Sequence, residues 1–301
     1  MMQDLTTYII GVLLAIGSGI LNNLGSLVQK KVINDRPVGE KVTRNLLKNP
    51  LWMFGLLLQL VFGTALFLIA IDMIGPALTP GLMAVGLIFL AVGAVKLIGE
   101  KLKRGEYIGI ILMVIAIGFL CASQLDTGSR IEELITSGDV GFIIRISICT
   151  LVLAAIAIFC QVLQKMKERY RGIGLAVFSG CMFALANYWV SPLVEVIDSV
   201  FKGTFSPIEL IFFVLACVIL VLTNFIGMLK IQQAFIYGQA SNMIPIQQVP
   251  VQITPIFVYF VIALLMPPYV YSMPFMISGV ALIIISSFLL AKRQAQLEEI
   301  K

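Results

Sequence analysis

The chain has 301 residues, of which 59% are hydrophobic and only 12% charged, with a net charge of +5. Soluble domains carry about 25% charged residues, so a water-soluble globular protein is excluded. Histidine is absent, which removes His-based catalysis, His metal sites and a His proton relay together.

The start, MMQDLTTY, lacks a basic stretch, and the apolar run after it ends in QKK with no small-residue cleavage site. It reads as a retained first span rather than a cleaved signal peptide. In chain order the apolar segments are Tyr8–Val28, Leu51–Ile71, Leu78–Ile98, Tyr107–Ala122, Val140–Leu163, Gly172–Val190, Ile208–Leu229, Met243–Leu265 and Pro274–Leu290. A spanning helix needs about 20 mostly apolar residues, some with tilt. The expected fold is therefore an all-α membrane domain of about nine helices, with ten as the alternative count. The five cysteines, Cys121, Cys149, Cys160, Cys181 and Cys217, show no CxxC spacing and read as buried free thiols.

Lys and Arg alternate along this series. The connection after span 1 carries Lys30, Lys31, Arg36, Lys41, Arg44 and Lys48, and the one after span 3 carries Lys101, Lys103 and Arg104. Lys165, Lys167, Arg169 and Arg171 follow span 5, Lys230 follows span 7, and Lys292, Arg293 and Lys301 follow span 9. The even connections hold Asp126, Glu132, Glu133, Asp139, Glu195 and Asp198 instead. This is positive-inside patterning, not a nucleic-acid footprint. It places the N-terminus outside and the C-terminus in the cytoplasm, with a prokaryotic plasma membrane as the default location.

Spans 2–4 and 7–9 form similarly spaced trios that run in opposite directions, so two inverted repeats are expected, residues 1–128 and 140–301. Span 8 is the least regular stretch, with Pro245, Pro250 and Pro255 five residues apart. Span 3 opens with a milder set, Gly75, Pro76, Pro80 and Gly81. Proline frees backbone carbonyls, which lipid does not satisfy, so these helix kinks belong in protein contacts or against a cavity. Gln248 and Gln252 share one helical face, Gln247 adjoins them, Asn242 begins the segment, and Asn187 lies within span 6. These five amides are the candidate substrate contacts; interhelical amide bonding is the alternative reading. For Tyr188 and Trp189, beside Asn187, the ordinary reading is interface anchoring.

No Asp or Glu lies mid-span; Asp72 and Glu209 sit at span ends. That composition favours an uncharged or zwitterionic solute and disfavours a carboxylate cage for Mg²⁺. HExxH, GxSxG, P-loop and GxGxxG motifs are missing, so neither an enzyme nor an NTP-driven pump is expected, and no cofactor or metal site is assigned.

Several short motifs carry a family resemblance. Gly17-Ser18-Gly19 through Gln29-Lys30-Lys31, and Gly99-Glu100-Lys101-Leu102 with Gly105 and Gly109, resemble the opening helix and the acidic junction of the drug/metabolite transporter (DMT, EamA-like) superfamily. Trp52 to Gly55, Ala70 to Ala77, Thr79-Pro80-Gly81, and Ala234 before the proline-rich span resemble its branch of NIPA-type magnesium transporters. The resemblance implies two inverted repeats and transport, with Mg²⁺ as the branch's solute. This chain departs from the branch at Gly63-Thr64, where a Gly-Glu is usual, and at Pro267-Pro268-Tyr269, where a second acidic junction is often seen. Three functions therefore stand: a secondary transporter of a small organic solute, a divalent-cation transporter, and a non-transporting assembly or regulatory protein. The expected partners are the lipid bilayer and a small-molecule substrate, with a coupling ion and a homodimer left open.

Overall fold

The computed structural model describes residues 5–35, 48–74, 79–125, 128–166 and 170–299, and among these every regular element is a helix. α1 is Leu5–Asn34. α2, residues 50–74, runs Pro50–Leu57, a π-helical stretch Leu58–Gly63, then Thr64–Ile74. α3, residues 79–98, is assembled from Thr79–Met83, Gly86–Gly93 and a π-helical end, Ala94–Ile98. α4 is Arg104–Ala122, α5 is Gly128–Thr136, α6 is Val140–Met166, and α7 is Arg171–Lys202. α8 is Pro207–Tyr237, α9 is Ala240–Phe257 followed by π-helical Val258–Ile262, and α10 is Ser272–Glu299. Eight of these are long and apolar enough to cross a membrane, and α3 supplies the shorter apolar stretch Gly86–Ile98. The chain is thus an all-α protein built of membrane-spanning helices.

Local chemistry sets the ends. Asn49 accepts from the Leu51 and Trp52 amides ahead of Pro50, which needs no donor at a first turn. Ser206 and Glu209 form a capping box around Pro207. Gly99 and Gly203 close their helices at φ 77° and 73°, a region glycine enters without a Cβ penalty.

The broken span is not the expected one. α9 stays helical through Pro245 and Pro250, whereas α3 loses its helical ladder at Ala84–Val85. There the bonding tightens to three-residue turns: Val85 to the Leu82 carbonyl at 3.2 Å, Leu87 to Ala84 at 2.9 Å, and Ile88 to Val85 at 3.0 Å. The cause lies across the interface. Gly19 of α1 and Gly86 of α3 bring two backbones together so closely that a Cβ on either would strike main-chain atoms of the other helix. Pro76 lies outside the described residues.

α1 packs along α2 and α3, and α7 packs in the same way along α8 and α9, while α4 pairs with α10 and α6 covers α7. The ends of α1, α3 and α8 meet at one end of the bundle. Asp139 before α6, Arg145 in its first turns and the end of α9 meet at the other, where the Arg145 Nε donates to the Ile262 carbonyl at 3.2 Å. The helix ends beside connections 1, 3 and 7 thus share one end of the bundle, and those beside connections 4 and 8 the other. Large apolar side chains such as Leu68, Leu151, Val221 and Phe288 face outward, the surface a bilayer covers.

α5 lies in the acidic connection between spans 4 and 5. Its Ile131, Leu134 and Ile135 are buried with Phe142 and Phe212, so it roofs the even end over α7 and α8. All five cysteines are free.

Candidate functional site

Two seams of small residues hold the packing motif, and they match. In the first, the Ser18 Oγ of α1 donates to the Gly63 carbonyl of α2 at 2.7 Å, and the adjoining Gly19 abuts the Met83 carbonyl of α3. In the second, the Ser179 Oγ of α7 donates to the Gly227 carbonyl of α8 at 2.6 Å, and the adjoining Gly180 abuts the Gln247 carbonyl of α9. Gly63 and Gly227 are 164 positions apart, as are Met83 and Gln247, and as are the two π-helical ends that begin at Ala94 and Val258. α4 and α10 are antiparallel and meet reciprocally: Gly109 faces Leu290, and Gly279 faces Leu120, 2.7 Å from where a glycine Cβ would lie.

The predicted amides divide into two groups around the second seam. The Gln247 Nε2 donates to the Ser179 Oγ at 2.9 Å, so this buried amide staples α9 to α7. Asn242 is fully buried at the start of α9 and donates to the Glu106 Oε1 at 2.8 Å and the Gln239 Oε1 at 3.4 Å. Both follow the interhelical-bonding alternative. Gln248 and Gln252 are half-buried on one face of α9, with the Gln252 Nε2 3.5 Å from the Gln248 Oε1. Asn187 is exposed on α7. These three amides lie outside the buried packing. Tyr188 and Trp189 are buried: the Tyr188 hydroxyl donates to the Ile146 carbonyl at 3.1 Å, and the Trp189 Nε1 donates to the Thr150 Oγ1 at 3.1 Å. They fasten α7 to α6 and do not anchor at an interface.

Sequence reasoning missed the most polar buried region, at the odd-connection end. The Glu100 Oε1 accepts from the Ala240 amide at 2.7 Å; its Oε2 accepts from the Ser241 hydroxyl at 2.6 Å and the Ser241 amide at 3.3 Å. This carboxylate sits on the first turn of α9, where unpaired N–H groups and the helix dipole favour negative charge. Glu106, 1% exposed, caps its own helix through the Lys103 amide at 2.6 Å while accepting from Asn242. Lys30 reaches from α1 to the end of α8, donating to the Phe235 carbonyl and, at 2.8 Å, to the Gly238 carbonyl. There it meets the negative end of a helix. Beside it runs an amide chain, in which the Trp52 Nε1 donates to the Gln232 Oε1 at 3.4 Å and the Gln232 Nε2 donates to the Gln29 Oε1. The signal was present in Gly99-Glu100, a left-handed turn that aims a carboxylate off a helix end; its target lies 140 residues away in sequence.

Among the described residues no three His, Cys, Asp or Glu side chains gather as a metal cluster. Comparison with protein-family models, with curated proteins and with solved structures finds no match for this chain.

Proposed function

We propose that this chain is a secondary transporter, and that it moves a small uncharged or zwitterionic organic solute across the membrane by alternating access. Residues 1–128 and 140–301 act as two inverted repeats that rock against each other. The observation that carries the reading is the duplicated serine–glycine seam, followed 164 positions apart by matching π-helical span ends. Reciprocal packing of antiparallel α4 and α10 supports a pseudo-two-fold axis in the membrane plane. Glycine contacts let one helix slide over another, and α3 departs from α-helical bonding at Ala84–Val85, where three-residue turns take over beside the Gly19 contact. Gln248 and Gln252 are assigned to the solute, with Asn187 as a third contact. The short motifs shared with drug/metabolite transporters agree with this architecture.

The test is flux into liposomes that hold the purified chain, with a panel of organic solutes and Mg²⁺ run side by side. Saturable uptake of an organic solute is expected, falling roughly tenfold in the Gln248→Ala/Gln252→Ala variant as two hydrogen bonds are lost. Gln247→Ala should lower stability more than uptake. Saturable Mg²⁺ uptake without organic uptake would refute the solute class. Unchanged uptake in the double variant would refute the site.

A further inference from the structure

We infer that Glu100, Lys30 and Glu106 form a charged latch that holds the two halves together at the odd-connection end of the transporter, while among the described residues the halves meet at the other end through apolar contacts. The inference rests on the alternating-access reading and names what sets its resting state.

The latch has a simple construction. The corner between α8 and α9, residues 238–239, exposes the carbonyl end of one helix and the amide end of the next. Residues 5–125 supply one charge for each: the Lys30 ammonium for the Phe235 and Gly238 carbonyls, and the Glu100 carboxylate for the Ala240 and Ser241 donors. Glu106 adds a bond to Asn242, the next residue along. Charge-assisted bonds of this kind are about twice as strong as neutral ones, and both helix dipoles favour them. All three side chains are buried, so opening this end has to carry two carboxylates and an ammonium away from their partners.

Among the described residues the opposite end shows no equivalent between the two halves; its Arg145–Asp139 pair is local to the start of the second half. The register that aligns the two π-helical ends places Leu264 at the position of Glu100, and Leu264 is exposed. The register of the two serines places Ser191 at the position of Lys30. At that end the two halves meet through Phe119 and Phe275, edge to face at 5.5 Å, and through Leu120 on Gly279. Such contacts part without stranding a charge. The asymmetry predicts a conformation that rests closed at the odd-connection end and opens there only when the bound solute offsets the latch.

Hydrogen–deuterium exchange on the full chain in lipid nanodiscs tests this, comparing wild type with Glu100→Gln and with the milder Ser241→Ala. Glu100→Gln should speed exchange at residues 238–243 by about tenfold, the equivalent of about 1.4 kcal/mol. It should also slow exchange at residues 263–272 and 119–125 by at least about threefold, because releasing one end closes the other. Ser241→Ala, which keeps both charges and serves if Glu100→Gln does not fold, should move both ends in the same directions by about threefold. Faster exchange at 238–243 with the opposite end unchanged means a frayed helix cap and overturns the latch, as does no change at either end. Opposite responses at the two ends without solute flux would keep the latch and overturn the transport reading. Saturable flux without opposite responses would do the reverse.

Discussion

Replacing Gly25 or Gly55 by alanine should separate α1 from α2 by a measurable step. The two glycines face each other: a Cβ on Gly25 would lie 2.5 Å from the Gly55 carbonyl oxygen, and a Cβ on Gly55 would lie 2.8 Å from the Gly25 carbonyl oxygen. Ordinary contact begins near 3.4 Å. The helices must therefore part by about 0.9 Å for Gly25→Ala and about 0.6 Å for Gly55→Ala, since the clashing atoms are main chain and cannot rotate away. Overpacking of this kind costs about 1–3 kcal/mol. Once one methyl has opened the gap, the second adds little, so the double variant should lose about as much as Gly25→Ala alone. Unfolding in mixed micelles, followed by fluorescence, measures this. Trp52 lies one turn before Gly55 and is buried against Gln232, and a Trp189→Phe background leaves it the single reporter. Fully additive losses, or none in either single variant, would refute the close backbone approach.

Ser18→Ala should cost about 0.6 kcal/mol, the average for a hydrogen bond between membrane helices, and Ser179→Ala more than that in the same unfolding assay, because it also strands the buried Gln247 amide. A loss at one seam only would contradict their equivalence. Cysteines introduced at Thr43 and Thr127 should react with impermeant reagents from opposite sides of sealed vesicles, Thr43 from the cytoplasmic face; both positions lie outside the described residues. Labelling of both from one face would overturn the topology.

Much of the fold is legible in the chain because the bilayer leaves few options. Runs of apolar residues set the helices, and the helix ends beside three of the connections that Lys and Arg group as odd, after α1, α3 and α8, meet at one end of the bundle. α5 was missed because nine residues in an acidic connection look like a loop. Its Ile131, Leu134 and Ile135 at i, i+3 and i+4 were the available signal. The broken span was misplaced for a different reason. Prolines announce a freed carbonyl but not whether the helix yields, and α9 stays helical from Ala240 to Phe257 across all three of them. The yielding at Ala84–Val85 comes from Gly19 on another helix, a tertiary cause that no local window contains. The amides show the same limit. Gln247 and Gln248 are neighbours of identical chemistry, and only the serine opposite Gln247 separates a buried staple from a half-buried amide proposed to meet the solute.

The helix α6 has a consequence for how such a chain can arise. Four crossings bring a chain back to the side on which it began, so a second four-helix unit joined directly to the first would point the same way. The antiparallel meeting of α4 and α10 requires the opposite. Under the proposed inverted repeats, α6 is the span without a counterpart across the two seams, and it adds the single crossing that turns the second unit over. On that proposal a unit copied end to end takes the opposite orientation in the membrane through one intervening helix, whose role is set by parity rather than by any side chain it carries.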